Sequence, residues 1–552
     1  MTDSSPSLRW MAATVLQPGF TGTTPPDWVR RWIADGLGGV ALFARNVRDV
    51  EQVAALTARL RAERPDVLVA IDEEAGDVTR IESGQGSSRP GNLALGAVDD
   101  PELTEQVAYD LGQELARAGV SLNYAPVADV NSDPDNPVIG VRSFGADPHL
   151  VARHTAAWTR GLQAAGVAAC AKHFPGHGDT SVDSHVAVPR IAGDLVRLDT
   201  VELVPFRAAV AAGTQAMMTG HLLVPALDDE HPATMSRRVL IDLLREQLGF
   251  TGVVITDGIE MQAVTRRYGL AGATVRALAA GVDAVCVGGE HADEATTRLL
   301  RDAIVEAVTD GRLPVRRLAD AAQRIVRLAG WTIRHRDRAA AGHRGTVVPE
   351  AAARPDAAGS AVGLVAARRA VRFQADGTTL PLHRPAYVVE FAPQRNIAIG
   401  AETPWGIGGV LAELRPDTVT IRLSAAETAP DSGAGDPTTG RDGSRLPAAV
   451  LAAATGHALV LVVRDLHRHR WMSAAVDHAL AARPDAVVVE LGVPVRATGG
   501  AYLATYGASR ANALAAAEIL AGRRLGQPER VPAPAASRSA GDPQDPVVVS
   551  GG

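Results

Sequence analysis

Short, nearly continuous apolar runs alternate with amphipathic stretches over the first 335 residues of the chain. Runs that are apolar at almost every position are typical of parallel strands buried on both faces, and the Ala-, Leu- and Arg-rich stretches between them favour helices. The predicted strands are 10–16, 39–44, 67–71, 122–130, 169–174, 216–224, 252–256 and 284–288. The predicted helices are 50–63, 101–118, 147–165, 199–212, 236–248 and 293–309.

Eight strands that alternate with helices predict an α/β fold, an N-terminal (β/α)8 TIM-type barrel. An open doubly wound sheet has the same periodicity and stays the alternative. Its dinucleotide-binding form gains little support, because no G-x-G-x-x-G motif follows the first strands.

A second αβ rhythm follows and predicts a C-terminal αβ sandwich domain. Its strands are 387–392, 418–423, 458–463 and 486–492, with helices at 360–371 and 509–522. We therefore divide the chain into a catalytic barrel domain (1–335), a linker (336–358), the αβ domain (359–525) and a Pro-, Ala- and Ser-rich disordered tail (526–552).

Composition excludes several classes of protein. The 552 residues are 46% hydrophobic and 21% charged, with a formal net charge of −7, which is unsuited to nonspecific nucleic-acid binding. No apolar stretch is long enough to span a membrane, and the N-terminus lacks the features of a signal peptide. With only Cys170 and Cys286 as cysteines, the chain is predicted to be cytoplasmic, with neither nucleic-acid nor membrane partners.

Lysine occurs once, at Lys172, among 55 cationic residues. A bias toward arginine explains the other 54 but leaves this position open. Lysine brings a compact ammonium group where arginine brings a broad planar fork. Lys172 is therefore either a chance survivor or a position at which arginine does not fit.

Charged and titratable residues follow the predicted strands, at the end where a parallel barrel carries its active site. Asp257 comes directly after the strand 252–256, and Asp72 after 67–71. Each is either a reactive carboxylate at the barrel rim or the N-cap of the next helix, for Asp257 a helix at 259–265. Together with the cationic Arg80, Arg142 and Lys172, these carboxylates suit glycosidic-bond chemistry.

The triplet Asp183-Ser184-His185 lies in a segment with Gly and Pro at 175–178. A carboxylate two residues before an imidazole can fix its tautomer, so that the second ring nitrogen is free for proton transfer. Two alternatives remain, a solvated surface histidine and a metal site. The ligands of such a metal site would be His173, His177, Asp179, Asp183 and His185, although their spacing fits no common zinc motif.

Three ordered blocks of sequence resemble glycoside hydrolase family 3, specifically its NagZ-type β-N-acetylhexosaminidases. They are KHFPGHGDTSVDSH (172–185), NYAPVADVNSDPDNPVIGVRSFG (123–145) and VVITDGIEM (253–261). The segment GLVAARRAVRFQADGTTLPL (363–382) is similar to the start of that family's second domain. The resemblance covers about residues 8–525.

This resemblance implies a role for each candidate residue. Asp257 would be the nucleophile that forms a covalent glycosyl-enzyme, and His185 the general acid/base with Asp183 as its dyad partner. The residues that would hold the sugar hydroxyls and the 2-acetamido group are Asp72, Arg80, Arg142, Lys172 and His173. No metal or other cofactor is expected.

The implied function is a retaining exo-β-N-acetylglucosaminidase acting on carbohydrate such as peptidoglycan fragments, as a monomer or homodimer. The alternatives are a phosphorylase that uses phosphate as acceptor, another β-glucosidase of the family, or a muropeptide-binding sensor. Most relatives have Asp-Gln-Glu-Gly-Gly where this chain has Asp-Glu-Glu-Ala-Gly, so Glu73 and Ala75 depart from the pattern and could alter the shape or charge under the sugar. The second domain is assigned no catalytic residue.

Overall fold

The structure, a computed structural model, describes residues 7–180, 188–191, 193–289, 291–342, 359–375, 380–394, 398–400, 402–428 and 443–523. The strands are β1 Leu16–Pro18, β2 Gly39–Leu42, β3 Leu68–Ile71, β4 Leu122–Asn123, β5 Ala168–Phe174, β6 Ala216–Thr219, β7 Val253–Thr256, β8 Val285–Val287, β9 Arg372–Ala375, β10 Ala386–Phe391, β11 Val419–Leu423, β12 Ala458–Val463, β13 Val487–Glu490 and β14 Ala501–Ala504.

The α-helices are α1 Leu8–Thr14, α2 Asp27–Ala34, α3 Val50–Glu63, α4 Asn92–Val98, α5 Pro101–Arg117, α6 Pro148–Ala164, α7 Leu195–Arg197, α8 Leu203–Ala211, α9 Gln262–Ala280, α10 Glu294–Thr309, α11 Val315–Gly342, α12 Ala361–Ala370, α13 Gly408–Leu414, α14 Ala425–Thr428, α15 Ala448–Ala453, α16 Arg470–Ala482 and α17 Arg510–Leu520. Segments of π-helical geometry are Leu198–Glu202 and Arg238–Gln247, and short 3₁₀ turns are Ala44–Asn46, Gly140–Arg142, Ala233–Met235 and Leu466–Arg468.

The first eight strands form a curled parallel sheet. Strands β2 to β7 pair side by side in chain order, and β8 pairs with β1. A parallel bridge between Ile255 and Ala284 joins β7 to β8. Every residue of these strands is buried, in keeping with their largely apolar sequences, and the polar exceptions include Lys172 and His173 of β5.

Asp side chains begin several of the surrounding helices. Asp49 and Asp100 accept hydrogen bonds from the backbone N–H three residues on, at 2.7 and 3.0 Å, at the starts of α3 and α5. Asp147 does the same for α6, at 2.6 Å. These caps explain why the helices expected at 50–63, 101–118 and 147–165 lie within one residue of their predicted bounds.

The predicted strand at 10–16 is wrong, because most of this segment is helix α1. Ser7 caps the helix by accepting a hydrogen bond from the backbone N–H of Trp10 at 3.2 Å, and the strand begins only at Leu16. A fully buried apolar run has no period that separates helix from strand, and this run contains both. The expected strand 122–130 is also shorter, since only Leu122–Asn123 pairs regularly.

A second six-stranded sheet follows, in the order β11-β10-β12-β13-β14-β9, parallel except for the antiparallel edge strand β9. Apolar side chains cover both of its faces. Val389 packs in one cluster with Val476 of α16, and Val388 packs in another with Leu411 of α13. Strands β9 and β14 were not expected, and both are only four residues long.

Contacts between the two sheet regions begin at helix α4. Its residue Ala94 belongs to the same buried cluster as Val389 and Val476 of the second sheet. Helix α11 runs to Gly342, into the segment expected to be a linker, whereas 343–358 and the tail from 524 onward lie outside the described residues. Within the described ranges, no helix combines the length and apolarity needed to cross a membrane.

Candidate active site

The candidate residues lie at the carboxyl ends of neighbouring strands. Asp72 directly follows β3, Lys172 and His173 belong to β5, and Asp257 directly follows β7. In a parallel sheet these ends share one edge, so side chains that are far apart in sequence meet there. Asp72, Lys172 and Asp257 all act electrostatically on the buried thiol of Cys170, and burial raises the pKa of that thiol well above its usual value.

Lys172 is buried between two carboxylates. Its Nζ lies 2.6 Å from Oδ1 of Asp72 and 2.7 Å from Oε1 of Glu74, and the side chain is 2% exposed. Burial lowers the pKa of Lys172, but the charges of Asp72 and Glu74 outweigh it and raise the pKa above its usual value. The ammonium group therefore stays charged and can donate a third hydrogen bond.

Arg142 holds Glu74 from the other side. Its Nε and Nη2 donate to the two carboxylate oxygens of Glu74 at 2.8 and 2.7 Å, a bidentate pair, and its Nη1 donates to the carbonyl of Val138 at 3.1 Å. Burial alone would raise the pKa of Glu74, but Arg142 and Lys172 hold it well below its usual range. The structure thus joins Asp72, Lys172, Glu74 and Arg142 into one charged cluster, the strand-end cluster.

Asp129 orients His173. Its Oδ2 lies 2.8 Å from Nδ1 of the imidazole, and its Oδ1 accepts the backbone N–H groups of His173 and His177 at 3.0 and 2.8 Å. Because an ionised carboxylate only accepts, Nδ1 of His173 carries the proton and Nε2 is the atom left for a ligand. Burial raises the pKa of Asp129, but His173 and these donors outweigh it and lower the pKa below its usual value.

His177 is a buried neutral histidine. Burial lowers its pKa to about 4, and its Nδ1 lies 2.7 Å from Oγ1 of Thr180, which in turn donates to the His177 carbonyl at 3.1 Å. Across the described residues, no three His, Cys, Asp or Glu side chains are grouped so that they could hold a metal ion. Asp183 and His185, the predicted dyad and part of the alternative metal site, lie outside the described residues.

Asp257 is partly buried, and it is not a helix cap. Helix α9 begins at Gln262 with Met261 at its N-cap, so the capping alternative is wrong. Oδ1 of Asp257 accepts the backbone N–H of Gly258 at 2.8 Å, and its own N–H donates to the carbonyl of Thr219 at 3.1 Å. Nε2 of the buried His221 donates to the Gly258 carbonyl at 3.0 Å and supports the same turn.

Arg80 is placed differently from the other predicted sugar ligands. Its Nη2 donates to the carbonyl of Ala398 in the second sheet region at 3.0 Å. Within the described part of the chain, Arg80 forms no hydrogen bond with the strand-end cluster. Its role in holding the sugar stays a prediction.

Glu73 and Ala75, the two departures from the family pattern, both lie in the loop after β3. Oε2 of Glu73 accepts the backbone N–H groups of Arg80 and Ile81 at 2.7 and 2.9 Å, so its carboxylate is engaged within the loop. Burial raises the pKa of Glu73 to about 7 in spite of these donors. Ala75 adopts a left-handed backbone with φ 63°, a conformation that favours the glycine found in relatives.

Sequence reasoning assigned no role to two members of the site, Glu74 and Asp129. Glu74 follows Asp72 by two residues, so the alternation of an extended strand end would have put both carboxylates on one side. Asp129 is a buried acid in an otherwise apolar segment, which itself requires a partner. Both signals are present in the sequence, but neither names the partner.

Residues 15–328 match the family described as the glycosyl hydrolase family 3 N terminal domain, more than half of the chain. The chain belongs to glycosyl hydrolase family 3. The family prediction and the prediction of a glycoside hydrolase are thereby confirmed at the level of the family.

Named relatives of this family 3 chain agree. A beta-hexosaminidase A of Pseudoalteromonas piscicida is 38% identical over 282 residues, 47% of this chain and 47% of that protein, so the chain spans about half the length of this relative. A beta-hexosaminidase of Thiobacillus denitrificans is 41% identical over 51% of this chain and 81% of its own length. A solved family 3 beta-N-acetylglucosaminidase from Paenibacillus sp. is 31% identical with a TM-score of 0.81, and the match covers 95% of this chain and 98% of that one.

Proposed function

We propose that this chain is a retaining exo-β-N-acetylglucosaminidase that acts on N-acetylglucosamine-containing glycosides such as peptidoglycan fragments. The observation that carries the proposal is the strand-end cluster of Asp72, Glu74, Lys172 and Arg142, with Asp257 directly after β7 at the same edge of the sheet. Fixed donors and acceptors of this kind suit the hydroxyl and amide groups of a sugar ring. Lys172, Arg142, Asp72 and His173 bind the non-reducing sugar, joined by Arg80.

Asp257 acts as the nucleophile in this proposal. Its carboxylate attacks the anomeric carbon while the glycosidic oxygen takes a proton from His185, whose imidazole is held by Asp183. Water then gives a proton back to His185, attacks the same carbon and releases Asp257, so the β configuration is retained. These chemical steps need no cofactor.

The finer fold predictions belong to the same proposal. The eight strands of the curled sheet would close as a (β/α)8 barrel through β1 and β2, and Gly38 N–H donates to the Ala13 carbonyl at 3.4 Å beside that junction. The second sheet with its two apolar faces would be the αβ sandwich. We also propose a cytoplasmic location, since both cysteines are buried free thiols.

The test is turnover of a chromogenic β-N-acetylglucosaminide, with proton NMR of the first-formed sugar. We expect the β anomer first, and loss of turnover in Asp257→Ala because no other group replaces the nucleophile. Asp302→Ala, which removes a half-exposed aspartate of α10, is the matched control and should keep wild-type rates. A first-formed α anomer, or an active Asp257→Ala, would contradict the assignment of Asp257.

Phosphate distinguishes the phosphorylase alternative. Rates are measured with and without inorganic phosphate, and the products are analysed for sugar 1-phosphate. We expect free N-acetylglucosamine under both conditions. Sugar 1-phosphate as the main product would show that the site catalyses phosphorolysis and not hydrolysis.

A further inference from the structure

The loop 74–80 after β3 is tied to the second sheet region by buried contacts. Oδ2 of Asp77 lies 2.5 Å from Nη2 of Arg464, which directly follows β12, and Oδ1 of Asp77 accepts the backbone N–H of Ala508 at 2.8 Å. Arg80 adds its bond to the Ala398 carbonyl. One loop of the first region is therefore held at three points by the second.

The same loop begins with Glu74, a member of the strand-end cluster. Glu74 donates its backbone N–H to the carbonyl of Val78 at 3.0 Å, and the Val78 N–H donates to the carbonyl of Ala75 at 3.3 Å. Glu73 closes the far end of the loop through the N–H groups of Arg80 and Ile81. Because the loop is bonded to itself at both ends, a shift of Asp77 is transmitted to Glu74.

Both side chains of the Asp77–Arg464 pair are largely shielded from solvent. The side chain of Asp77 is 3% exposed and that of Arg464 15% exposed. Removing one partner of a buried pair leaves the other as an uncompensated charge in a low-dielectric environment, and such a charge must move toward water or become neutral. Loss of Arg464 would therefore displace the loop that carries Glu74.

We propose that Arg464 is a positioning residue for sugar binding: by holding Asp77 it fixes the loop 74–80 and keeps Glu74 between Lys172 and Arg142. The second domain then has a specific role in the reaction through a residue that acts on the site by way of Asp77. This inference rests on the proposed function, because it requires that Lys172 and Arg142 bind the sugar.

The test compares Arg464→Met, Arg464→Lys and the double variant Asp77→Asn/Arg464→Met with wild type. For Arg464→Met we expect KM to rise about tenfold and kcat to change much less, since a misplaced binding loop weakens ground-state and transition-state binding alike. Arg464→Lys keeps the charge and should restore most of the loss. The double variant removes both charges and should lie closer to wild type than Arg464→Met, a non-additivity typical of direct partners.

Arg369→Gln is the matched control. Arg369 of α12 also pairs across the two regions, with Asp100 at 2.7 Å, but it is 46% exposed and does not touch the loop. Its loss should leave both KM and the melting temperature near wild-type values.

The outcomes separate the two proposals. If wild type does not turn over the N-acetylglucosaminide, the proposed function fails. If wild type is active and Arg464→Met lowers the melting temperature but leaves KM unchanged, Arg464 is only structural and the inference is overturned. If Arg464→Met does not fold, Asp77→Asn replaces it, because this variant removes the charge that Arg464 holds but keeps an acceptor for the Ala508 N–H; a raised KM supports the inference and an unchanged KM overturns it.

Discussion

The buried charges at the strand ends form a mutually neutralising set. Lys172 and Arg142 face Asp72 and Glu74, and each cation contacts Glu74 directly. An isolated charge at such a depth would lose far more solvation than one hydrogen bond returns. Removal of any one of the four side chains would therefore leave another charge buried without its partner.

Lys172→Arg tests whether the position of the single lysine excludes arginine. The guanidinium group is broader than the ammonium group and enters a packed space between two carboxylates, so we expect kcat/KM to fall about a hundredfold. The same exchange in reverse at the exposed Arg48, Arg48→Lys, is the control and should be silent. Wild-type activity in Lys172→Arg would mean that the lysine survived by chance.

Single residues also limit what a sequence can say. The rarity of lysine pointed to Lys172, and the structure places it in the strand-end cluster. Its partner Glu74 was assigned no role, because the sequence does not state which acids come within 3 Å of a given cation. That contact depends on β3 and β5 ending at one edge of a folded sheet.

At the level of elements, the strand β3 and its loop form one hydrogen-bonded unit. Glu73 is its internal brace, since it binds Arg80 and Ile81 by side chain and exchanges backbone–side-chain bonds of 2.9 and 2.7 Å with Asn123. The brace carries a carboxylate whose pKa is raised to about 7 by burial. This element should therefore make the stability of the protein depend on pH.

Glu73→Gln should flatten that dependence. Between the usual glutamate pKa of 4.5 and the folded value of about 7, the folded protein binds more protons than the unfolded chain, so the stability of wild type falls as pH rises through this window. The loss amounts to about 3 kcal/mol at the alkaline end. The glutamine oxygen still accepts both N–H groups, so the variant should melt higher than wild type at pH 8 and nearly equally at pH 5.

Melting curves at both pH values check this prediction. Glu51→Gln on the exposed face of α3 is the control and should shift neither curve. If Glu73→Gln melts at a lower temperature than wild type at pH 8, the loop requires the negative charge of Glu73. The cost of burying that charge would then not be what lowers stability at this pH.

Elements with strong local signals were predicted well. The predicted helices that start at an Asp cap lie within one residue of their expected bounds, and the predicted strands after the first begin within one residue of their expected starts, although those expected at 122–130 and 216–224 end earlier. The first apolar run was misread and the short strands β9 and β14 were missed. In these cases burial and sheet pairing, rather than local periodicity, decide the structure.

At the level of the whole molecule, the two sheet regions share buried contacts. Ala94 of α4 packs into the core of the second sheet. Oγ of Ser360 donates to Asp110 at 2.7 Å, and Arg464 pairs with Asp77. Interfaces of this kind couple the unfolding of the parts they join.

We expect calorimetric heating of wild type to show one transition. Separation of the regions would expose the Ala94 contact and leave Asp77 without its partner, so neither region unfolds without destabilising the other. In Arg464→Met this single transition should begin to divide into two, one for each region, whereas Arg369→Gln should keep a single transition. Two resolved transitions in wild type would contradict the coupling.

The sequence by itself determined the alternation of strands and helices, the edge of the sheet at which the candidate residues lie, and the family. These follow from periodicity, from the order of elements and from contiguous motifs, all of which are local along the chain. Only the tertiary structure decided that Glu74 joins Lys172 and Arg142, that Asp129 orients His173, and that Arg464 reaches back to Asp77. Those pairings join residues tens to hundreds of positions apart, and their charged atoms come within 3 Å of one another only after the strands and the two sheet regions have packed together.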